Sequence, residues 1–290
     1  MTTLDVFTLA DATLQSGGQL QSRELARHVV PSGFRPLDAL LPAGGMRRGS
    51  LVEWLAGDDG PAGNGAVTLA FAVACRLAAP APDEPHDGPP GQGTIVVIDR
   101  AGWFHPPAVL PWLEGRQLVV VRPSRDEDEL WAIDQSLRCR GVAAVLAWPR
   151  MTAWCQAAAA ASRPRSPRHW TTAMRRWQLA ARASGAVGLL VRPHETRGEP
   201  SWAEARISVA PLPGGTLLEC RLRLAVAGGA WSGADPDAER WSEVSIDLGR
   251  GREGATRQAA VCPRGATSAR TDDGGSRRAF AEGAAACRAS

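Results

Sequence analysis

Four short runs of apolar residues, separated by segments of helix length, constrain the fold of this chain most strongly. The runs are residues 94–99, 118–121, 142–147 and 187–191. Continuous apolar runs, rather than alternating ones, are typical of strands that are covered on both faces of a parallel sheet. Strands and helices that alternate along a chain build a doubly wound α/β domain. The sequence therefore predicts such a domain, with all four runs as buried strands.

Helical patterns fill the segments between these runs. One covers residues 67–77 after a further strand at 50–55, and another covers residues 171–184 and ends at Gly185. A third helix ends near Arg138. Its buried stripe and its start are predicted from two patterns: Leu130, Ile133 and Leu137 at helical spacing, and Ser124 and Glu127 at the spacing of a capping box.

The pattern changes to alternation beyond Trp202. Residues 206–209, 217–224 and 244–248 are predicted to be antiparallel strands at the edge of the sheet. After Gly249 the chain is rich in Gly, Ala, Ser and Arg, which favours disorder. The predicted organisation is an N-terminal helical segment at 1–30, a core at 31–225, an extension with edge strands at 226–250 and a disordered tail at 251–290.

Composition excludes several classes of protein. All 33 basic residues are Arg, and the net charge of +3 is too small to indicate nucleic-acid binding by itself. The six cysteines contain no C-x-x-C pair, so neither a zinc site nor a disulfide framework is expected. There is no apolar run of membrane-spanning length and no basic leader, so we expect a reduced, cytoplasmic protein with no membrane partner.

A glycine frame at residues 60–65 has the spacing of a phosphate-binding loop, and its glycines are Gly60, Gly63 and Gly65. Such a loop continues with a lysine that reaches the phosphates and a hydroxyl that holds Mg²⁺. Here Ala66 and Val67 occupy those positions, and Thr68 comes one residue too late. The sequence therefore predicts a degenerate P-loop without ATPase chemistry, a non-enzyme, and no cofactor. Weak nucleotide binding through backbone N–H groups stays open.

A basic stretch extends from Gln135 to His194 and contains no Asp or Glu. Within it, a proline-containing loop at 162–170 carries Arg163, Arg165, Arg168 and Trp170. Arginine binds phosphate and tryptophan stacks on bases, so this loop is a candidate for single-stranded DNA contact. Contact with a protein partner, or with solvent alone, is the alternative. Arg175 and Arg176 follow on a helix, where surface charge is the simpler interpretation.

Tryptophan is abundant, with 11 in the chain. Seven of them lie between the first and fourth apolar runs: Trp103, Trp112, Trp131, Trp148, Trp154, Trp170 and Trp177. We expect most to pack in the core and a subset to form an exposed patch for a partner, since Trp and Arg dominate interface hot spots. His105 has no Cys or His at metal spacing and is predicted to be a turn residue.

Several segments resemble the RecA-like fold, and most closely its ImuA family of inducible mutagenesis proteins. They are HVVPSGFRPLD at 28–38, LLPAGG at 40–45, RGSLVEW at 48–54, IDR at 98–100, VRP at 121–123, LWAIDQ at 130–135 and GLLVRP at 188–193. The resemblance covers roughly residues 28–225. It implies that the glutamate that activates water would fall near Ala101, and that the acid that binds the metal would fall near Trp148. Neither position has a carboxylate, which again predicts a chain that does not hydrolyse ATP.

The same resemblance implies a function. The loop at 162–170 would correspond to the first DNA-binding loop of RecA-like recombinases, and residues 194–202 to a shortened second loop. The implied role is an accessory one in damage-induced (SOS) error-prone translesion DNA synthesis. The implied partners are a polymerase-like adaptor and an error-prone polymerase, with a RecA-type recombinase and single-stranded DNA as further candidates. Two alternatives stay open: a weak ATP-dependent, recombinase-like regulator and an SOS inhibitor of cell division.

Overall fold

A mostly parallel sheet with helices on both faces organises the part of the chain that the structure, a computed structural model, describes. The described residues are 29–56, 65–79, 93–149, 167–213, 216, 219–227, 240–254 and 262–263. The strands are β1 (Val29–Val30), β2 (Met46–Arg47), β3 (Leu51–Ala56), β4 (Thr94–Ile98), β5 (Leu118–Val121), β6 (Val142–Ala147), β7 (Val187–Pro193), β8 (Ala205–Pro211), β9 (Glu219–Ala227), β10 (Arg240–Asp247), β11 (Arg252–Glu253) and β12 (Cys262–Pro263). The helices are α1 (Arg35–Leu40), α2 (Ala66–Leu77), α3 (Pro106–Leu113), α4 (Asp126–Arg138) and α5 (Pro167–Ser184), and a 3-10 helix covers His194–Gly198.

The strands pair in the order β5-β4-β6-β7-β3-β8-β9-β10-β11, and β12 also pairs with β10. All neighbours from β5 to β8 are parallel, whereas β9 and the strands after it pair antiparallel with their neighbours. The predicted mixed α/β fold with a mostly parallel sheet is therefore confirmed. The antiparallel prediction for residues 206–209 is only half right, because β8 runs parallel to β3 and antiparallel to β9.

Two apolar layers cover the sheet because successive side chains of a strand point to opposite faces. In β3, Val52 and Trp54 join the layer formed with α1, α2 and α3. Leu51 joins the layer formed with α4 and α5, which includes Ile133 and Met174. The helices thus lie on both sides of the strands, as parallel connections require.

Three local predictions need correction. Strand β5 lies at the edge of the sheet and is partly exposed, rather than buried on both faces. The capping box is wrong, since α4 begins after Arg125 and no side chain caps it. Helix α5 begins at Pro167, inside the segment predicted to be a loop. In addition, the sequence did not predict α3, because three prolines interrupt its helical pattern.

The predicted termini are only partly described. Residues 1–28 lie outside the described residues, as does most of the tail after Gly249. Disorder was expected from residue 251, yet Arg252–Glu253 and Cys262–Pro263 both pair with β10. Backbone pairing with an existing strand orders these short segments although they contribute few large apolar side chains.

Candidate functional site

The start of α2 is where a phosphate would lie in a working P-loop. Gly60 and Gly63 fall outside the described residues, and Gly65 precedes the helix with a φ of 78°. A Cβ atom on Gly65 would lie 2.7 Å from Leu222 Cδ2 and 3.4 Å from Cys220 Sγ. Position 65 therefore favours glycine for two reasons: its φ is positive, and a side chain would clash with β9. Strand β9 packs directly on the start of the helix.

The three residues after Gly65 carry no positive charge. Ala66 is fully buried in the core, and Val67 and Thr68 are partly buried. Ala66 and Val67 are thus small, apolar side chains at the start of α2, and Thr68 is the first residue with a polar side chain. This arrangement leaves backbone N–H groups and the Thr68 hydroxyl, but no cation, to attract an anion at residues 65–68.

A cavity of about 350 Å³ lies beside this helix start, at the carboxyl ends of β4 and β6. Val67 and Thr68 form part of its wall, together with Ala108 and Val109 of α3 and Leu248. The rest of the lining is aromatic or imidazole: Phe71, Trp103, Phe104, His105, Trp112 and Trp148. His105 was predicted to be a turn residue; it instead has extended backbone dihedrals and directly precedes α3, three residues after the turn at 100–102.

Four of these rings form a continuous wall. The ring centres of Phe71 and Trp112 are 6.1 Å apart, those of Phe71 and Phe104 are 5.3 Å apart, and those of Phe104 and Trp148 are 6.3 Å apart. Trp112 Nε1 donates to the Leu248 carbonyl at 2.9 Å. Trp148 Nε1 is buried without a hydrogen-bond partner among the described residues. One indole N–H of this wall is therefore satisfied and the other is not.

Asp99 holds the loop that carries two of the rings. Its buried carboxylate accepts hydrogen bonds from the backbone N–H groups of Trp103 and Phe104, each at 3.0 Å. Arg122 Nε lies 3.5 Å from the same carboxylate, and Arg122 Nη2 donates to the Phe104 carbonyl at 3.2 Å. Asp99, the acid nearest to Ala101 in the sequence, is therefore engaged in shaping the loop.

Strand β6 ends at Ala147, and Trp148 follows it directly, where the resemblance would place a metal-binding acid. Trp148 is only 4% exposed, and its ring faces Phe104. No group of three His, Cys, Asp or Glu side chains is placed to hold a metal ion within the described ranges. An aromatic surface thus occupies the edge of the sheet where a metal-binding acid would be needed.

The basic-loop candidates are only partly described, and one of them is wrong. Arg163 and Arg165 lie outside the described residues, and only the backbone position of Arg168, on α5, is known. Trp170 is 5% exposed and contacts Trp177 edge-to-face with ring centres 5.5 Å apart. The guanidinium of Arg192 covers its ring at 4.1 Å. Trp170 is therefore a core residue and is not available to stack on a base, because it is buried and the Arg192 guanidinium lies on its ring.

Arg175 and Arg176 lie on the exposed side of α5, as their surface interpretation predicts. The Arg175 guanidinium lies 5.5 Å from the ring centre of Trp202. Arg176 Nη2 lies 3.4 Å from Asp134 Oδ2, which also accepts a 2.8 Å bond from Arg138 Nε. The pair is thus anchored to its own protein by one ring and one carboxylate.

The sequence did not predict a buried ionic cluster, which lies on the face of the sheet opposite the aromatic cavity. Glu53 of β3 is fully buried, and its two carboxylate oxygens accept from Arg192 Nη1 at 2.7 Å and Arg206 Nε at 2.5 Å. Arg192 also donates to Glu199 at 2.5 Å. The available signal was a carboxylate in the middle of an apolar strand at 50–55, which demands a partner in the fold.

The tryptophans singled out from the sequence divide into exposed and buried ones. Among the described ones, Trp103 is 51% exposed at the mouth of the cavity, and Trp131 is 64% exposed on α4. Trp112, Trp148, Trp170 and Trp177 are buried, and Trp154 lies outside the described residues. The expectation that most pack in the core is confirmed for these four.

Comparison with known proteins adds no family to this picture. A scan against models of protein families gave no match, and a search of curated proteins found no significantly similar relative. No described helix has the length and apolar character that crossing a membrane requires. What the fold and site define is a mixed α/β protein whose sheet carries an aromatic cavity at its carboxyl edge.

Proposed function

We propose that this chain is a non-catalytic, RecA-like accessory protein of damage-induced (SOS) translesion DNA synthesis, which docks a polymerase-like adaptor and an error-prone polymerase. The resemblance of residues 28–225 to the ImuA family supplies the process and the partners. The contacts described above supply the arguments against nucleotide chemistry and the choice of a docking surface.

The edge of the sheet supports the RecA-like part of the proposal. A RecA-like ATPase brings its glycine loop, its catalytic glutamate and its metal-binding acid together at the carboxyl ends of parallel strands. The corresponding positions here are Gly65, Ala101 and Trp148, which follow β3, β4 and β6. All three strands belong to the parallel part of the sheet, so the positions meet at the same edge.

One observation carries the non-catalytic part. The start of α2 presents the buried Ala66 and a glycine in contact with Leu222, where phosphoryl transfer would need a lysine and a metal ligand. Without cations on the phosphate oxygens, the transferring charge has no stabilisation. The nearby carboxylate of Asp99 already accepts two backbone hydrogen bonds and faces Arg122. A scaffold is therefore favoured over an ATPase.

The outer surface of α4 and α5 is the docking surface that we favour. We define it by its two exposed apolar side chains, Trp131 at 64% and Leu179 at 57%, and by the arginines that flank them: Arg138, Arg175 and Arg176. Trp and Arg are the side chains that contribute most to interface energy. With Trp170 buried, this part of α5 offers arginines but no ring for a base, which favours a protein partner over single-stranded DNA.

A pull-down of the tagged chain from cells, before and after DNA damage, tests the proposal. Co-purifying proteins are identified by mass spectrometry and then tested for direct binding. Trp131→Ala combined with Leu179→Ala should weaken that binding at least about tenfold, because a hot-spot tryptophan and the apolar contact area of a leucine are lost. Trp103→Ala combined with Leu110→Ala is the matched control, since these side chains are 51% and 57% exposed on another surface.

Recovery of polymerase-like subunits, with loss only in the α4–α5 variant, supports the role and the surface together. Recovery of the division machinery alone would favour the inhibitor alternative and reject the translesion role. Recovery of nothing specific after damage would reject it as well. Magnesium-dependent ATP turnover by the purified chain would contradict the non-catalytic part, whatever the pull-down recovers.

A further inference from the structure

We propose that the aromatic cavity beside α2 binds an uncharged, planar heteroaromatic ring that carries a hydrogen-bond acceptor, of which a nucleobase is the representative case. The inference does not rest on the accessory role proposed above. It follows from the shape, polarity and charge of the cavity, and from one buried donor that lacks a partner.

The shape of the cavity fits a flat ring. Its volume of about 350 Å³ lies at the lower end of the range of small-molecule sites, roughly 300–1,000 Å³. The rings of Phe71, Phe104, Trp112 and Trp148 follow one another with centres 5.3–6.3 Å apart, and Trp103 stands half exposed at the mouth. Aromatic rings of ligands gain most when they stack on, or meet edge-on, such walls.

A buried N–H group in the wall of the cavity lacks a partner, so a ligand should carry a hydrogen-bond acceptor. Trp148 is 96% buried, and its indole Nε1 has no partner among the described residues. A buried donor without a partner loses its hydration and gains nothing in return, unless a ligand or a water supplies the acceptor. Thr68 and His105 add a hydroxyl and an imidazole to the lining. A ring nitrogen or an exocyclic carbonyl would satisfy the indole N–H.

The side chains that line the cavity argue against an ionised ligand. Among the described lining residues there is no carboxylate and no guanidinium. Asp99 lies behind the loop, where it is fully buried and already accepts the N–H groups of Trp103 and Phe104. An ionised ligand would lose its hydration here without meeting a carboxylate or a guanidinium in the lining, so a neutral ring is favoured.

Two sources can supply this ring: a free nucleoside, or a base unstacked from single-stranded DNA. Stacking on aromatic side chains is common to both modes. The experiment therefore uses adenosine and thymidine in one arm and a single-stranded oligothymidylate in the other. The full chain is labelled with ¹⁵N, and its indole N–H resonances are followed during each titration.

The Trp148 resonance, identified by its absence from Trp148→Phe, should shift on binding. The Trp54 resonance is the internal control, because this indole N–H is also buried without a described partner but does not line the cavity. Trp148→Phe keeps an aromatic ring, though a smaller one, and removes the donor, so affinity should fall at least about fivefold, the value of one ordinary hydrogen bond. Ala108→Trp should abolish binding by filling the cavity from its exposed rim.

Ala39→Trp is the matched control, since Ala39 is exposed on a helix and does not line the cavity. Circular dichroism and thermal unfolding establish that both tryptophan variants fold. A shift with nucleosides that Ala108→Trp removes supports a free ring as the ligand. A shift with the oligonucleotide alone, removed by the same variant, supports a base of single-stranded DNA. No shift of Trp148 in either arm, or binding that Ala108→Trp leaves intact, would overturn the proposal.

Discussion

The guanidinium of Arg192 lies 4.1 Å from the centre of the Trp170 ring, so that a cation of β7 packs on an aromatic side chain of α5 inside the protein. The same guanidinium donates from Nη1 to the fully buried Glu53 at 2.7 Å. Arg192 thus joins the sheet to the helix that covers it. The contact also explains why an apparent base-stacking residue is a core residue.

Arg192→Met should destabilise the protein by about 3–5 kcal/mol, because it leaves the Glu53 carboxylate buried with one partner fewer. The measurement is urea unfolding, with Arg175→Met as the control. Arg175 also lies over a tryptophan, at 5.5 Å, but it is exposed, so its removal should cost less than about 1 kcal/mol. Equal losses in the two variants would show that the buried carboxylate is not what Arg192 stabilises.

Gly65→Ala should be more destabilising than Gly185→Ala, although both glycines have positive φ, 78° and 85°. The left-handed conformation alone costs an alanine about 1–2 kcal/mol. At Gly65 the new Cβ would also lie 2.7 Å from Leu222, whereas at Gly185 it would meet nothing within 4 Å. We therefore expect roughly 1–2 kcal/mol for Gly185→Ala and roughly 2–4 kcal/mol for Gly65→Ala.

Comparison of the midpoints of thermal or urea unfolding checks this difference. If the two alanine variants were equally stable, strand β9 would not be packed against the start of α2. That outcome would also remove one argument against phosphate binding at this helix.

Ala66→Lys should not create an ATPase, alone or with Val67→Ser, which restores the second missing group of the P-loop. The side chain at position 66 is fully buried, so a lysine there would disturb the core before it could reach a phosphate. Phosphate release with and without magnesium is the measurement, and Val67→Ser alone is the control. Magnesium-dependent turnover in the double variant would show that the scaffold still positions a nucleotide.

The cysteines should differ sharply in reactivity toward a thiol reagent at pH 8. Burial raises the pKa of the Cys75 thiol to about 12, so its thiolate fraction is on the order of a thousandth of that of an ordinary cysteine. Cys139 is exposed. Peptide mapping after brief labelling should find Cys139 modified and Cys75 protected, and modification of both at similar rates would contradict the burial of Cys75.

The same pKa shift predicts a loss of stability at high pH. Unfolded Cys75 ionises near its ordinary pKa of 9.0, whereas in the folded state its pKa is raised to about 12. Between these values the unfolded chain releases a proton that the folded chain keeps, so the free energy of unfolding falls as the pH rises. Cys75→Ala should flatten this part of the curve. The wild-type and variant curves would have the same slope if Cys75 did not contribute.

The sequence was most informative where structure is local. Strands β4, β6 and β7 were predicted within two residues of their observed bounds, because a continuous apolar run has no other way to be buried in an α/β domain. The sequence could not place Trp170, because the Arg- and Pro-rich segment that precedes it favours an exposed loop as much as the first turn of a helix. Nor did it predict α3, because three prolines in eight residues argue against a helix there. Packing of α3 against α2 supports the helix in the fold.

The absence of a lysine at position 66 and of a hydroxyl at position 67 was also determined by the sequence itself, since a residue type is either present at a position or absent. Which groups meet was decided only by the tertiary structure. Glu53, Arg192 and Arg206 come from three different strands, and Glu53 is 139 and 153 residues away from the two arginines. The cavity likewise gathers Phe71, Phe104, Trp148 and Leu248 from four separate elements. Local preference fixes which segments become strands or helices, whereas the partner of a buried charge or ring depends on long-range packing that no short window of sequence contains.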